Sequence, residues 1–280
     1  MKQEKVQQIL IYTDFTPLGN KCIEWGIFFA KKFEKELLIL HVINDNSYHI
    51  FKKNNIEKDV KNKLQEISYN IEKQHKIKCI TYFEEGCNCT IINSVAEAHD
   101  TFFNIIGVHG KRDPQYLSGQ AAIKIIKKSR IPFFCVQRNS KIPSEISPVI
   151  MPMDTKKEMK EQTGWVTYLA KNLKTEIEIF LPDIKDNRLK NNIIFCTNFF
   201  SKFDLKYSKV ISPAKYFGFN KSAIDYADKH NSLFMLSMTS KEPSFIDWIL
   251  DPPEVKTISN KNGIPVFIIN PKKDLYIPCI

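Results

Sequence analysis

The chain has 280 residues, of which 43% are hydrophobic and 12% aromatic, enough to form buried cores in one large or two ordinary domains. This composition excludes a chain that is disordered over most of its length. No stretch approaches the ~18 consecutive apolar residues of a membrane span, and residues 1–8 are polar, unlike the apolar core of a signal peptide. We therefore expect a cytoplasmic protein with no membrane partner.

The net charge of +10 would suit a nucleic-acid-binding protein if the basic residues were clustered. The lysines instead recur along the whole chain, and only four of the 41 basic residues are arginine. Such a distribution is typical of a solvated surface, so no nucleic-acid partner is predicted.

The seven cysteines are an odd number, and several lie in apolar runs where a reduced thiol packs like a small hydrophobic side chain. No disulfide framework is predicted. Cys87 and Cys89 form the one close pair, which suits either metal or redox chemistry. Because no second Cys or His pair follows at ligand spacing, we predict no metal site there.

The first half of the chain alternates short apolar runs with helical periodicity. The first run ends at Asp14, and Thr16 and Pro17 then have the residue types of a helix N-cap and first turn. We predict strands at 8–13, 37–42, 77–83, 102–106 and 132–136, and helices at 17–33, 58–74, 90–98 and 120–128. This alternation predicts a parallel sheet with helices on both faces.

The same alternation restarts after residues 139–147, which have no periodicity and are predicted to be a linker. We predict strands at 149–154, 176–181, 210–213, 233–237 and 264–269, and helices at 156–172, 187–203 and 221–229. The helix at 187–203 should bury Ile193, Ile194, Phe199 and Phe200. The repeated order indicates a duplication, with a first domain at 1–138 and a second at 148–280.

Three of the nine glycines, Gly107, Gly110 and Gly119, lie close together after the apolar run 102–106. A glycine turn between a strand and a helix often holds phosphate, because its backbone N–H groups can approach an anion closely. The alternative is a turn that needs glycine only for its shape.

Four motifs in order carry a family resemblance: residues 10–16, the His-Val at the end of 37–42, Glu85-Gly86, and residues 107–110. Together they resemble the universal stress protein family, over nearly all of 6–138 and more faintly over 147–270. The resemblance implies two tandem Rossmann-like (adenine nucleotide alpha hydrolase-like) α/β domains, each a five-stranded parallel sheet of order 3-2-1-4-5. It also implies an intramolecular pseudo-dimer paired through the fifth strands, and leaves a further homodimer open.

The resemblance further implies an ATP or AMP site in the first domain. Its residues would be Thr13 and Asp14 at the adenosine, Val42 at the base, and Gly107, Gly110, Gly119, Gln120 and Ala121 at the ribose and phosphates. Mg²⁺ would accompany a bound triphosphate; no other metal is required. The glycine loop is one residue shorter than the family pattern, and Gln120 stands where a hydroxyl residue is expected. Lys111, Arg112 and Ser118 could compensate.

Three of the polar residues also have structural interpretations. Asp14 could cap the turn before Pro17. His109 suits a loop residue or hydrogen-bond donor better than a catalyst, and His41, inside an apolar run, suits a core hydrogen bond.

The second domain has no glycine between residues 238 and 253, and Pro252 and Pro253 have no N–H to donate. We predict no phosphate site there; its apolar residues, among them Phe245 and Trp248, either cover the vacant cleft or contact a partner.

Three classes of function follow: a regulatory nucleotide sensor, a degenerate scaffold that acts through protein partners, and an ATP-cleaving enzyme. The enzyme has the least support, because residues 14–17 carry neither a Ser-Gly-Gly loop nor a His-x-Gly-His signature, and we identify no catalytic residues. We predict a non-catalytic stress-response protein, with the scaffold as the alternative.

Overall fold

The computed structural model describes residues 6–51, 53–109, 117–215, 218–239 and 252–271. The chain divides into two compact units, Met1–Arg138 and Asn139–Ile280. Within the described ranges, no helix is both long enough and apolar enough to span a bilayer.

The first unit alternates strands and helices throughout. Its elements are β1 (Gln8–Tyr12), α1 (Pro17–Phe33), β2 (Glu36–Ile43), α2 (Ile56–His75), β3 (Cys79–Glu85), α3 (Asn88–Ala98), β4 (Asn104–Gly107), α4 (Gly119–Lys128) and β5 (Phe133–Val136). All strand pairs are parallel, in the order β3-β2-β1-β4-β5. The predicted α/β fold class is confirmed.

The core of this unit lies between the central strands and α1. Every residue of β1, β4 and β5 is buried, as expected for parallel strands covered on both faces. Aromatic side chains of α1 pack onto the sheet: the ring centroids of Phe29 and Phe134 are 4.8 Å apart, and those of Trp25 and Phe134 are 5.0 Å apart. This packing fixes α1, and with it the turn that joins β1 to α1.

Strand order makes the connections of the first unit diverge at one edge of its sheet. From β1 the chain first adds β2 and β3 on one side, and then crosses to add β4 and β5 on the other. The connections therefore diverge at the carboxyl ends of β1 and β4, which is where open α/β sheets bind ligands.

The second unit repeats this topology. Its elements are β6 (Val149–Pro152), α5 (Gln162–Leu173), β7 (Ile177–Pro182), α6 (Asn187–Lys202), β8 (Tyr207–Ser212), α7 (Phe219–Lys229), β9 (Met235–Met238), α8 (Pro253–Ile258) and β10 (Val266–Ile269). Its strands are also parallel, in the order β8-β7-β6-β9-β10.

Several predicted boundaries in the second unit are wrong. Helix α5 begins at Gln162, after a 3-10 turn over Lys157–Glu161, and β8 begins at Tyr207. The short helix α8 was not predicted.

Burial along α6 also differs from the prediction. Phe200 is buried, but Ile194 is 45% exposed. Cys196 and Phe200, one helical turn apart, are the buried pair on this part of α6, so Ile194 faces away from them.

Candidate functional site

The turn after β1 is built around the carboxylate of Asp14. Its Oδ1 accepts hydrogen bonds from the backbone N–H of Thr16 at 3.0 Å and from the Thr16 hydroxyl at 2.5 Å. Thr16 Oγ1 in turn accepts from the N–H of Gly19 at 3.2 Å and so caps α1. The capping role considered for Asp14 is therefore present, through an Asx turn that holds the N-cap residue.

Two neighbours of Asp14 shape this turn. Phe15 has a left-handed backbone with φ of 58°, a conformation that costs a non-glycine residue free energy. A Cβ on Gly19 would lie 2.7 Å from Thr13 Oγ1 and 2.9 Å from Asp14 Oδ1. Glycine is required there so that α1 can approach the turn. The sequence analysis missed Gly19, whose only signal is its place in the first turn after Pro17.

The second carboxylate oxygen of Asp14 faces His109. Asp14 Oδ2 and His109 Nε2 are 2.9 Å apart, with side chains 14% and 9% exposed. Burial alone would raise the pKa of the Asp14 carboxyl, but the hydrogen bonds from His109 and Thr16 outweigh it and lower that pKa below its usual value. Asp14 is thus held ionised, with both oxygens engaged.

His41 at the end of β2 is the core histidine that its position indicated. Its Nδ1 lies 2.8 Å from the carbonyl oxygen of Thr13, and its Nε2 lies 3.0 Å from Ser47 Oγ. A carbonyl only accepts, so Nδ1 carries the proton and donates it. Burial lowers the pKa of His41, which favours the neutral ring. His41 therefore ties β1 to β2 at the edge where the site lies.

A narrow cleft opens between the ends of β1 and β2. The residues around it include Tyr12, Asp14, His41, Val42, Asn44 and Ile50. The free volume in it is about 10 Å³, room for one water molecule at most. The predicted base contact, Val42, is fully buried, so the side chain is covered in this conformation.

Aromatic side chains cover His41 on the outer side of this cleft. The ring of Phe15 lies 4.4 Å from the His41 ring, and Phe51 packs edge-on against Phe15 at 5.4 Å. The segment after β2 thus closes over the edge of the sheet.

The predicted phosphate-loop residues fall into three groups. Gly107 is the last residue of β4, and a Cβ there would lie 2.7 Å from Leu18 Cγ and 3.3 Å from Cys22 Sγ. Its glycine is needed for close packing against α1. Gly110 lies outside the described residues, as do Lys111 and Arg112.

Gly119, Gln120 and Ala121 form the first turn of α4. Ser118 is its N-cap, and the Ser118 hydroxyl accepts from the N–H of Ala121 at 3.3 Å. The N–H of His109 donates to the carbonyl of Leu117 at 2.9 Å, so the amino terminus of α4 lies beside the end of β4. A helix amino terminus carries positive partial charge, which suits an anion.

The equivalent edge of the second unit differs in composition. Asp154 accepts from the N–H of Lys156 at 2.7 Å, but α5 begins only at Gln162, eight residues after it, whereas α1 begins three residues after Asp14. The predicted covering residues Phe245 and Trp248 lie outside the described residues.

No group of three or more His, Cys, Asp or Glu side chains close enough to bind a metal ion occurs among the described residues.

The model of the universal stress protein family matches residues 5–137. The first unit belongs to the universal stress protein family. Its topology, the Asp14 turn and the glycine-marked end of β4 occur within the matched range. None of the curated proteins gives a significant match.

Solved structures extend the likeness in fold to both units. A universal stress protein from Archaeoglobus fulgidus DSM 4304 covers 95% of this chain and 98% of its own, with 16% identity and a TM-score of 0.74. A putative universal stress protein from Pseudomonas aeruginosa UCBPP-PA14 covers 96% of this chain and 95% of its own, with 11% identity and a TM-score of 0.63. The fold of this chain thus resembles that of these two proteins over both units.

Proposed function

We propose that this protein is a non-catalytic regulator of the stress response whose first unit binds an adenine nucleotide, ATP or AMP. The observation that supports this most is the meeting of Thr13, Asp14, Val42 and the amino terminus of α4 at one edge. This edge is the point where the connections diverge from β1 and β4, in a unit of the universal stress protein family.

The proposed contacts follow from the chemistry of these groups. Thr13 and Asp14 would contact the adenosine and Val42 the base, while Gly107, Gly110, Gly119, Gln120 and Ala121 would lie at the ribose and phosphates. The ionised Asp14 is an acceptor for hydroxyl or amino hydrogens. The first turn of α4 offers N–H dipoles to phosphate, and a triphosphate would bring Mg²⁺.

Nucleotide binding would require the cleft to open. With about 10 Å³ free, the cleft admits no nucleotide in the conformation described, so the segment from Asn44 to Phe51 has to move. A ligand that binds only the open form shifts the population toward it. Binding would thereby change the surface of the first unit, which is what a regulatory role needs.

The hydrogen bonding at the cleft supports a non-catalytic role. Asp14 accepts through both oxygens, and His41 is held between Thr13 and Ser47. A general base needs a lone pair directed at a proton of the substrate. Asp14, with its lowered pKa, is a weak base that can still accept a hydrogen bond from a ligand, and both ring nitrogens of His41 are engaged within the domain.

We propose the site in the first unit only. The second unit has Met238 at the end of β9, the counterpart of Gly107 in β4, and its helix after the first strand begins later. Met238 has a side chain at the strand position where Gly107 has none, and α5 begins eight residues after Asp154 whereas α1 begins three after Asp14.

Isothermal titration calorimetry of the full chain with ATP and with AMP, each with Mg²⁺, tests the proposal. We expect heat with at least one nucleotide, and weakening of about tenfold or more in Asp14→Asn, which removes the charge from the acceptor. Asp154→Asn, the matched change in the second unit, should leave the affinity unchanged. Ile50→Ala should tighten binding, because it removes side chain from the cleft.

A second function, a scaffold that acts through protein partners, is favoured by the closed cleft alone. It predicts no heat with either nucleotide and no adenine absorbance in the purified protein. It also predicts that Gly110→Val leaves partner capture unchanged. Those three results together would replace the nucleotide proposal with the scaffold.

A further inference from the structure

The connection from β3 to α3 carries two thiols next to the cleft but outside it. Cys87 is the exposed N-cap residue of α3, and the partly exposed Cys89 is in the first turn. The other described cysteines, Cys22, Cys79, Cys135 and Cys196, are all buried. Solvent therefore reaches this pair in preference to the rest of the described thiols.

The surroundings of the two thiols differ in a way that suits different roles. Cys87 makes no capping hydrogen bond of ordinary geometry, but the N–H groups of Cys89 and Thr90 point toward it and lower its pKa. Burial raises the pKa of Cys89, and the Cys87 side chain contacts it. A thiolate at a helix amino terminus is a nucleophile, and a neighbouring thiol can then resolve the product of its oxidation.

The pair lies beside a basic face of α4. Lys124 and Lys128 are close enough to Cys89 to favour its thiolate. Helices α3 and α4 are held together here by the hydrogen bond from Asn93 Nδ2 to the carbonyl of Ile125, at 3.0 Å. The charges of these two lysines partly offset the effect of burial, which raises the pKa of Cys89.

Asn88, the residue between the two cysteines, contacts the cleft. Its Oδ1 accepts from Asn44 Nδ2 at 3.2 Å, and the Tyr12 hydroxyl lies against it. Asn44 and Tyr12 both line the cleft. A bond between Cys87 and Cys89 would enclose the backbone of Asn88 in a small ring, so its side chain could not keep its position independently of that bond.

We propose that Cys87 and Cys89 form a peroxide-sensitive dithiol that acts on the cleft of the first unit through Asn88. The Cys87 thiolate attacks one oxygen of hydrogen peroxide, which gives a Cys87 sulfenic acid and hydroxide. The Cys89 thiolate then attacks the Cys87 sulfur, the S–S bond forms and a second hydroxide leaves. The two thiol protons convert both hydroxides to water. Peroxide is reduced by two electrons and the two cysteines are oxidised to a disulfide.

Two residues apart, the Cα atoms of Cys87 and Cys89 cannot be separated by more than about 7 Å, close to the span that a disulfide bridges. Any change in the Cα–Cα distance that the disulfide requires has to come from the first turn of α3. There the N–H groups of Thr90 and Ile91 both donate to the carbonyl of Cys87, at 3.1 Å. Oxidation should therefore loosen this turn and the Asn88–Asn44 contact together.

The test treats the full-length protein with hydrogen peroxide, blocks remaining thiols with N-ethylmaleimide, and maps the cysteines by mass spectrometry without reduction. We expect a disulfide between Cys87 and Cys89, with Cys79, in the same stretch of chain, still alkylated after unfolding. Cys89→Ser should stop at a Cys87 sulfenic acid that dimedone traps, and Cys87→Ser should react about tenfold more slowly. Oxidation of Cys79 first, or a disulfide from either residue to any other cysteine, would overturn the proposal.

Hydrogen exchange of the oxidised and reduced protein tests the link to the cleft. We expect exchange in residues 88–91 and 44–51 to become about tenfold faster on oxidation, with β4 unchanged. The double variant Cys87→Ser, Cys89→Ser, treated identically, should show no change. A disulfide without altered exchange in 44–51 would refute the link. Both measurements are made without nucleotide, so they are independent of the proposed nucleotide site.

Discussion

His109 Nε2 and Asp14 Oδ2 are 2.9 Å apart although the residues are 95 positions apart in the sequence. The contact joins the residue just past β4 to the turn after β1, across the point where the strand connections diverge. Together with the hydrogen bonds from Thr16 it lowers the pKa of Asp14, and it places His109, the last described residue before the glycine loop, against the β1–α1 turn.

The first prediction concerns the stability that the ionised Asp14 contributes. Because the pKa of the folded carboxyl is lowered, this stability is fully present above the unfolded pKa of about 3.9 and is lost as pH falls through the folded value. Asp14→Asn should lower the free energy of unfolding by about 1–3 kcal/mol at pH 7. The difference from wild type, measured by urea denaturation, should shrink below about pH 4.

Asp154→Asn is the control for this experiment. Asp154 accepts a backbone hydrogen bond from Lys156 but has no buried histidine partner among the contacts described. Its substitution should therefore lower the free energy of unfolding by less than Asp14→Asn does. A penalty for Asp14→Asn that is the same at pH 7 and pH 3.5 would contradict the assigned role of the carboxylate.

The second prediction separates the contribution of His109 to the lowered pKa of Asp14 from the contribution of Thr16. His109→Ala removes one of the hydrogen bonds that offset burial, so the pKa of Asp14 should rise. An NMR titration that follows the carboxyl carbon of Asp14 measures this pKa directly. An unchanged Asp14 titration would mean that Thr16 alone holds the carboxylate ionised.

Periodicity was sufficient to predict the main helices and strands of the first unit, because most of its strands are apolar runs and α1 has both a cap and a first-turn proline. The partly exposed edge strand β3 was predicted two residues too early at each end. The limits of α1 were predicted to the residue. In the second unit, β8 was placed too late because its residues, including Tyr207 and the 59% exposed Ile211, are mostly exposed. An exposed edge strand lacks the apolar run by which the buried strands were recognised.

The candidate site was harder to predict than the fold, since its contacts join distant segments. The pairing of Asp14 with His109 depends on the order of the strands, and the need for glycine at Gly19 and Gly107 depends on how closely α1 packs. The sequence showed that Gly107 was unusual. It could not show that the side chain of Leu18 is the reason.

The third prediction tests whether the side chain of Leu18 is the reason that residue 107 is glycine. Gly107→Ala would place Cβ 2.7 Å from Leu18 Cγ, in a fully buried position where an added methyl group typically costs about 1–3 kcal/mol. The melting temperature should fall accordingly. Leu18→Ala is destabilising by itself, because it leaves a cavity.

The double variant Gly107→Ala, Leu18→Ala is the decisive comparison. If the methyl group occupies the space that Leu18 leaves, the double variant should be more stable than the sum of the single effects allows. Strict additivity of the two penalties would show that Gly107 is needed for another reason, such as approach to a ligand.

The fourth prediction compares two glycines of the second unit that share a backbone conformation. Gly218 and Gly263 have φ of 79° and 81°, so alanine at either position adopts an unfavourable left-handed conformation, at a cost of about 1–2 kcal/mol. A Cβ on Gly218 meets nothing within 4 Å, whereas one on Gly263 would lie 2.6 Å from the carbonyl carbon of Asn139. Gly263→Ala should therefore be the more damaging change, by about 1 kcal/mol or more in urea denaturation. Because the conformational cost is common to both, equal penalties would show that the backbone of Asn139 moves aside without cost.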